Sequence, residues 1–374
     1  MTDFAPDTVP FVDLTRQYAS IKNAIDAALQ QILDRGTFAA GVAVARFESE
    51  FAQYCGVRHC VAVNSGTSAL HLAMIASGIQ ADDEVITVPF TFIATAWAVS
   101  YVGARPVFVD VELQTATIDI TKIERAIGPK TRAILPVHLY GQMADLGPLK
   151  EICDRRGLTL IEDAAQAHGA EYQGRRAGAF GHIGCFSFYP AKNLGAFGEG
   201  GALTTDDDGI ARRLRHLRDH AQIDKYRHEE LGFNYRMDEL QGAILAVKLR
   251  HLDDWNRARA QIAKSFREKL AQTSLCLPCE APGRRHVWHL FVVRSSQRDK
   301  LRAELSRAGI GTGLHYPIPL HLQPAYRHLG YQRGDFPIAE KFANECLSLP
   351  MFPELKEFET DRICDAIASA TLNF

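Results

Sequence analysis

The sequence predicts an α/β protein with a mostly parallel sheet, followed by a smaller second domain. Short apolar runs alternate with helix-length segments over roughly the first two thirds of the 374 residues, a pattern typical of parallel strands covered by helices on both faces. The chain is also longer than a single hydrophobic core usually becomes. We therefore expect a large domain over residues 1–248 and a small α+β domain over residues 249–374.

The predicted large domain begins with two amphipathic helices. Apolar residues recur at helical spacing from Ile21 to Ile32, and Gly36 is placed to end that helix. A second helical pattern starts at Phe47. Strands are then predicted over the apolar runs 61–63, 84–88, 106–109, 133–137, 159–162 and 183–188.

The remaining third of the chain is predicted to be mostly helical. A long helical stretch runs from Asp238 to about Leu270 and leads into the small domain. Prolines at 317 and 319 exclude regular helix from the start of the loop that contains His315. The small domain is expected to contain a strand over 287–293 and helices over 299–308, 336–347 and 355–372.

Composition points to small-molecule chemistry. The formal net charge of −2 provides no electrostatic attraction for nucleic acid or an anionic membrane. Because the first ten residues lack the features of a signal peptide and no apolar run is long enough to span a bilayer, we expect a cytoplasmic protein. The eight cysteines, including the pair Cys276 and Cys279, lack the spacing of a zinc site, so no metal is predicted.

Lys192 and Asp163 are the candidate catalytic residues. Lys192 lies in an apolar, glycine-rich run, where desolvation would lower its pKa and make the amine a nucleophile for Schiff-base chemistry. A solvated lysine at the rim of a turn is the alternative. Asp163 follows a predicted strand and could keep a pyridine nitrogen protonated, or could instead cap a helix.

An anion site is predicted where the first strand is followed by a helix. The backbone amides and hydroxyl groups of residues 64–70 (NSGTSAL) would meet at a helix N-terminus, and Gly66 allows close approach. An ordinary N-cap formed by Ser65 or Thr67 is equally compatible. Phe92 follows another strand and is either a ring that stacks on a flat heterocycle or plain core.

Five segments together resemble the pyridoxal-phosphate-dependent nucleotide-sugar aminotransferases of the DegT/DnrJ/EryC1/StrS family. The resemblance spans nearly the whole chain and keeps the order of the segments. It implies the fold of type I pyridoxal phosphate (PLP) enzymes, with a seven-stranded sheet, and PLP and its pyridoxamine form as cofactor. The segments are 64–70 (NSGTSAL), 162–169 (EDAAQAHG), 187–195 (SFYPAKNLG), 198–201 (GEGG) and 232–242 (GFNYRMDELQG).

The resemblance also assigns roles to individual residues. Lys192 would bind the cofactor as a Schiff base, and Asp163 would pair with its ring nitrogen. Asn234 would reach the phosphate from the neighbouring subunit, which implies a homodimer with shared active sites. The other implied contacts are Phe92 on the ring, Gln166 near the ring hydroxyl, and Gly66, Thr67 and Ser187 on the phosphate.

The resemblance implies transfer of an amino group from L-glutamate to a nucleotide-linked keto sugar. The loop at 309–326 resembles that of members that aminate C3 of a UDP- or dTDP-linked hexose, in which His315, Tyr316 and Arg236 would contact the substrate. A 4-keto hexose is the alternative. His321 in the same loop is either a further sugar contact or a solvated residue.

Other classes of protein remain open at this point. A carbon–sulfur lyase or an aldolase of the same fold would share Lys192 and Asp163 but not the segment 232–242. A sister branch of the family that dehydrates its substrate has histidine in place of Lys192. A non-catalytic regulatory protein would be expected to carry a DNA-binding domain or to lack the lysine. An aminotransferase for a cyclitol or another free ketone would keep both the fold and the lysine.

Overall fold

Helices and short strands alternate through the first two thirds of the computed structural model, which describes residues 8–372. The α-helices are Leu14–Arg35 (α1), Val42–Cys55 (α2), Gly66–Ala76 (α3), Ala94–Tyr101 (α4), Leu146–Arg156 (α5), Asp208–Arg218 (α6), Glu239–Leu249 (α7), Leu252–Lys269 (α8), Arg298–Arg307 (α9), Pro337–Glu345 (α10) and Glu357–Thr371 (α11). The strands are His59–Val63 (β1), Glu84–Thr87 (β2), Arg105–Phe108 (β3), Thr131–Ile134 (β4), Thr159–Asp163 (β5), Glu171–Tyr172 (β6), Arg175–Arg176 (β7), Ile183–Ser187 (β8), Gly201–Thr205 (β9), Gln222–Asp224 (β10), Arg227–His228 (β11), Arg284–Arg285 (β12), Phe291–Arg294 (β13) and Cys346–Leu349 (β14).

A seven-stranded sheet in the order β1-β9-β8-β5-β4-β2-β3 lies at the centre of the described chain. All its strands run parallel except β9, which pairs antiparallel with both β1 and β8. The prediction of a mostly parallel sheet is confirmed, and all six predicted strands are present. The seventh strand, β9, was missed because its short run follows a glycine-rich segment.

The parallel arrangement brings several chain segments to one edge of the sheet. Strands β1, β5 and β8 end at Val63, Asp163 and Ser187, and β5 and β8 are direct neighbours in register. The strands are almost fully buried, which explains why they are nearly continuous apolar runs in the sequence. Ligands of such sheets bind beyond the carboxyl ends of the strands, so this edge is where a site is expected.

Helix α1 has the ends that the sequence predicts. Asp13 caps its first turn by accepting hydrogen bonds from the amides of Thr15 and Arg16 at 2.9 and 3.3 Å. Gly36 ends it with φ of +64°, a backbone conformation that favours glycine. The helix packs against α7, with Ile21 and Ile25 in a shared apolar cluster.

A second apolar core lies in the C-terminal part of the chain. It is built from α8, β13, α9, β14 and α11, and Val9 joins it through a bridge to Ile310. Helix α8 contributes Leu252 to the first core and Phe266 to the second, and thus connects them. The division into residues 1–248 and 249–374 stays a prediction.

Two predicted helices differ from the structure. The stretch 238–270 is divided into α7 and α8 by a break at Arg250 and His251. The sequence did not reveal this break, because a short interruption need not alter the apolar periodicity. The helix predicted over 336–347 ends at Glu345, and Cys346–Leu349 instead forms strand β14, which pairs antiparallel with β13. This pairing is non-local, and the four residues are fully buried by it, so tertiary packing overrides the local helical pattern.

Candidate active site

A cavity of about 600 Å³ lies at the carboxyl ends of the central strands. Most of the residues that the sequence singled out lie on its wall. Those residues are Gly66, Thr67, Phe92, Asp163, Gln166, Ser187, Lys192, His315 and Tyr316. The chain thus gathers into one space groups that are up to 250 residues apart in the sequence.

Lys192 faces this cavity from the loop that follows β8. Its amide donates to the Tyr189 carbonyl at 2.8 Å, but its Nζ atom has no hydrogen-bond partner within residues 8–372. Burial lowers the pKa of Lys192 to about 8, although the nearby Asp163 carboxylate acts in the opposite direction. A half-buried amine with a lowered pKa and no partner is available as a nucleophile, so the structure favours this interpretation over a solvated rim lysine.

Asp163 ends β5 and is buried beneath the same cavity. Its carboxylate accepts hydrogen bonds from the Thr95 hydroxyl at 2.8 Å and from the Ala165 amide at 3.2 Å. Burial raises the pKa of Asp163, while these two hydrogen bonds and the charge of Lys192 oppose that rise. No helix begins at Asp163, so the helix-cap alternative is wrong. Thr95, at the start of α4, carried no sequence signal for this contact.

The neighbouring Glu162 has a purely structural environment on the other side of the strand. It accepts hydrogen bonds from His138 Nε2 at 2.9 Å and from the amides of Gly178, Phe180 and Gly181 at 2.9, 2.8 and 2.7 Å. Burial by itself would raise the pKa of Glu162, but the hydrogen bonds lower it overall. His138 is therefore the partner of Glu162 and does not line the cavity.

The start of helix α3 forms another wall of the cavity. Ser65 is its N-cap and accepts a hydrogen bond from the Ser68 amide at 3.0 Å, which leaves the first amides of the helix, those of Gly66 and Thr67, at the cavity. A Cβ atom on Gly66 would lie 2.6 Å from Ser187 Cβ, so only glycine fits there. Capping and anion binding are therefore compatible, since they use different amides of the same helix end.

Aromatic and amide side chains line the opposite wall. Phe92 is 51% exposed, and its ring lies 5.8 Å from that of Tyr316. Gln166 accepts a hydrogen bond from the Tyr140 amide at 2.7 Å and donates one to the Tyr316 hydroxyl at 3.1 Å. The Gln166 amide is thereby held in one orientation. Because Phe92 is exposed to the cavity, the interpretation as plain core is wrong.

The loop that begins at His315 reaches the cavity only at its start. His315 Nδ1 lies 2.8 Å from the Ser348 hydroxyl, and burial together with the charge of Lys192 lowers the pKa of His315 to about 4. His321 lies away from the cavity, buried against Glu340 at 3.1 Å, so neither role considered for it is correct. The prolines do exclude regular helix at the start of the loop.

Asn234 and Arg236 lie outside the cavity of their own chain. Asn234 is exposed and forms a β-bridge with Asp219. Arg236 makes an ion pair with Asp219, with an Nη1 to Oδ1 distance of 2.5 Å. Their assigned contacts with cofactor and substrate stay predictions.

The fold and the cavity together define a class of enzyme. A lysine amine without a partner, a buried carboxylate at a strand end and a free helix N-terminus match the aldehyde, the ring nitrogen and the phosphate of PLP. The residues present thus fit this cofactor. Enzymes that combine this cavity with a mostly parallel seven-stranded sheet are the PLP-dependent enzymes of fold type I.

Comparisons with known proteins specify the family. The model of the DegT/DnrJ/EryC1/StrS aminotransferase family matches residues 19–368. The chain is 48% identical over 360 residues to dTDP-3-amino-3,4,6-trideoxy-alpha-D-glucose transaminase of Streptomyces venezuelae, which covers 96% of this chain and 95% of the relative. It is 44% identical over 359 residues to UDP-N-acetyl-3-dehydro-alpha-D-glucosamine 3-aminotransferase of Acidithiobacillus ferrooxidans, with 96% and 97% covered.

A solved structure agrees with these sequence matches. The crystal structure of DesV from S. venezuelae, in complex with a ketimine intermediate, superposes with a TM-score of 0.95 at 48% identity and covers 97% of this chain and 98% of that one. The chain belongs to the DegT/DnrJ/EryC1/StrS aminotransferase family and is a PLP-dependent aminotransferase. The lyase, aldolase and non-catalytic alternatives are thereby set aside.

Two kinds of feature are absent from the described part of the chain. No helix of residues 8–372 is long and apolar enough to cross a membrane. In the same part of the chain, no group of three or more metal-binding side chains is arranged to hold an ion.

Proposed function

We propose that the protein transfers the amino group of L-glutamate to the C3 keto group of a UDP- or dTDP-linked hexose. The observation that carries this proposal is the cavity itself, where the unpartnered amine of Lys192 and the carboxylate of Asp163 share a wall with His315 and Tyr316. One relative, at 48% identity, is named for a dTDP-linked 3-amino sugar, and another, at 44% identity, is named as the 3-aminotransferase of a UDP-linked 3-dehydro sugar. Their shared feature is the nitrogen at C3.

The cofactor would be held by groups at two ends of the cavity. Gly66 and Thr67, at the start of α3, together with Ser187, would hold its phosphate, and Asp163 would accept a hydrogen bond from its ring nitrogen. Phe92 would cover the ring, and Gln166 would contact its hydroxyl group. When bound, PLP supplies a carbonyl group for the incoming amine and delocalises the electrons left when a C–H bond is broken.

Lys192 would perform the proton transfers with its Nζ atom. Because its pKa is lowered to about 8, a useful fraction of the amine is neutral near neutral pH and can take a proton from the carbon that bears nitrogen. The same Nζ, now protonated, returns the proton to a different carbon. These two proton transfers occur once with glutamate and once, in the opposite direction, with the keto sugar.

The substrate proposal is tested with a panel of keto sugars. The purified protein is mixed with glutamate and with UDP- or dTDP-linked 3-keto and 4-keto hexoses, and amino-sugar formation is followed by mass spectrometry. We expect turnover of 3-keto sugars and no comparable turnover of 4-keto sugars. Turnover of 4-keto sugars alone, or of free cyclitol ketones in a parallel reaction, would overturn the assignment.

We also propose that two chains share each active site, with Asn234 reaching the phosphate bound to a partner. Neither Asn234 nor Arg236 lines the cavity of its own chain, and the Asn234 side chain is exposed, which is compatible with such an arrangement. Lys192→Ala and Asn234→Ala proteins should each be nearly inactive. Their unfolded mixture, refolded together, should regain activity because a heterodimer contains one site with both residues intact. If the refolded mixture stays inactive while refolded wild type is active, Asn234 acts within its own chain.

A further inference from the structure

A buried polar network extends from the residue next to Lys192. The side-chain amide of Asn193 donates from Nδ2 to Asn256 Oδ1 and to the Val287 carbonyl, both at 2.8 Å. Asn256 in turn donates from Nδ2 to the His168 carbonyl at 2.9 Å. Because backbone carbonyls can only accept, both amide groups have one allowed orientation.

This orientation determines which nitrogen of His289 carries the proton. Asn193 Oδ1 lies 3.1 Å from His289 Nδ1, and an amide oxygen can only accept, so Nδ1 must donate. Burial and the charges of Lys192 and Arg259 lower the pKa of His289 well below its usual value, which keeps the ring neutral. A neutral ring that is protonated at Nδ1 has an unprotonated Nε2, which is a hydrogen-bond acceptor.

The acceptor of His289 is directed into the active-site cavity. The residue is 7% exposed and lies on the cavity wall together with Lys192. Its Nε2 has no hydrogen-bond partner within residues 8–372. Unlike the unpartnered nitrogens of His168, this atom is not fully enclosed by protein. One cavity thus contains a donor without an acceptor, Lys192 Nζ, and an acceptor without a donor, His289 Nε2.

Other charged groups near His289 are already engaged. Arg259 donates from Nη1 to the Met351 carbonyl at 2.7 Å and also contacts the carbonyls of Trp288 and His289 at 3.4 Å. His315 is paired with Ser348, and the carboxylate of Asp163 is paired with Thr95 and Ala165. The His168 ring does not line the cavity, and burial lowers its pKa to about 3, so it carries no charge near neutral pH. The exposed Glu199 also lines the cavity, but a carboxylate cannot donate to Nε2. Among the described residues of the cavity wall, Lys192 is therefore the cation that is free to donate to Nε2.

We propose that His289 is a positioning residue for the catalytic base, and that its Nε2 accepts a hydrogen bond from the Lys192 amine whenever that amine is not joined to the cofactor. The contact stabilises the ammonium group that Lys192 becomes while it holds the proton in transit. Because Lys192 acts in both halves of the reaction, His289 serves both halves equally. This inference rests on the role of Lys192 proposed above and is independent of which sugar is the substrate.

Two substitutions distinguish the role of His289 Nδ1 from that of Nε2. Asparagine places a donor near the position of Nδ1 and leaves nothing at Nε2, so His289→Asn keeps the bond to Asn193 and removes the cavity acceptor. Glutamine reaches the position of Nε2, so His289→Gln restores an acceptor in the cavity. His286→Asn is the matched control, because His286 is a buried histidine of the same segment that faces a different cavity.

The first measurement follows each half-reaction separately in the PLP-loaded enzyme. Single-turnover rates with glutamate, and with the keto sugar after conversion to the amino form of the cofactor, are read from the absorbance of the cofactor. His289→Asn should slow both by a similar factor, about 10- to 100-fold as for the loss of a hydrogen bond to a charged group, with little change in KM. His289→Gln should recover most of the loss, and His286→Asn should match wild type.

The second measurement does not depend on turnover. Apoprotein is mixed with PLP at a series of pH values, and the rate at which the yellow absorption band forms reports the fraction of neutral Lys192 amine. A neutral acceptor favours the ammonium form, so its removal in His289→Asn should move this profile to lower pH by about one unit. His289→Gln should have a profile close to that of wild type.

Several outcomes would overturn the proposal. A loss confined to one half-reaction, or a change in KM for one substrate, means that His289 contacts substrate. Equal defects in the Asn and Gln variants mean that only the packing network matters, and thermal unfolding would then show a common loss of stability. If His289→Asn has the pH profile of wild type, His289 does not accept a hydrogen bond from Lys192. Failure of the role of Lys192 itself is recognised separately, because Lys192→Ala would then still form the yellow band.

Discussion

Two lysines of this protein have the same lowered pKa and opposite surroundings. Burial lowers the pKa of both Lys192 and Lys248 to about 8. Lys248 is 1% exposed, and its ammonium donates to the Gly195 carbonyl at 2.5 Å and lies 5.3 Å from the centre of the Phe197 ring. Lys192 faces a cavity and has no hydrogen-bond partner in residues 8–372.

The difference shows that a shifted pKa does not by itself identify a reactive group. Structural charges buried in a protein are paired or hydrogen-bonded, and Lys248 follows that rule. Lys192 breaks it, because its amine is desolvated and left unpaired at the point where a ligand can enter. Lys248 instead stabilises the loop that carries Lys192, since Gly195 lies in that loop.

The sharpest test of the comparison is to remove each lysine in turn. Lys192→Ala should lower turnover at least about a thousandfold, because nucleophile and general base are lost together. The yellow absorption band should also be absent after incubation with PLP. Turnover near that of wild type in Lys192→Ala, with the absorption band still present, would show that Lys192 is neither the nucleophile nor the general base.

The carboxylate beneath the cavity gives the next largest effect. Asp163→Asn should lower turnover about 100-fold, in line with about 3 kcal/mol for one key electrostatic group, with cofactor still bound. Glu162→Gln is the control, because Glu162 faces away and holds the amides of Gly178 and Gly181. That variant should lose stability in urea unfolding and keep most of its turnover per folded molecule. The reverse pattern would contradict the division of roles along β5.

Lys248→Met should act on stability. The Gly195 carbonyl would lose its donor, and the buried Glu354 carboxyl would lose a nearby positive charge, so we expect a loss of about 2 kcal/mol in the free energy of unfolding of the apoprotein. Turnover of the loaded, folded enzyme should fall less than tenfold. A loss as deep as that of Lys192→Ala would make Lys248 part of the chemistry.

The smallest effect is on the pH dependence of stability. Because the pKa of Lys248 is about 8 in the folded protein and near 10.5 when the chain is unfolded, the unfolded chain binds more protons between these values. Stability attributable to this residue is therefore complete above pH 10.5 and is lost as the pH falls through 8. Between pH 8 and pH 9.5, urea unfolding of the apoprotein should show a rise in stability that is about 1.5 kcal/mol smaller in Lys248→Met than in wild type, because the remaining rise comes from Lys192, which has a similarly lowered pKa. Equal rises in the two proteins would show that Lys248 does not contribute to the pH dependence of stability.

Much of the fold was predictable because its strands are buried on both faces. Such strands are continuous apolar runs, so all six of the predicted runs coincide with strands of the central sheet. Strand β9 was missed because its short run follows a glycine-rich segment and forms a strand only through its non-local pairing with β1 and β8. The end of α10 was misassigned for the same reason, since Cys346–Leu349 becomes a strand only through its pairing with β13.

The site divides in the same way. The sequence by itself determined that an apolar run around Lys192 and an acid at the end of a strand lie at one edge of a parallel sheet, which predicted the chemistry of the cavity but left a solvated lysine and a helix-capping acid open. The partners of those groups lie far apart in the chain, and only tertiary packing could bring Thr95 to Asp163 or His289 to Asn193. Tertiary structure also turned His321 toward Glu340 and placed Asn234 outside its own cavity. Residue type and strand order follow local rules, whereas the partner of a polar group depends on which distant segments are folded against it.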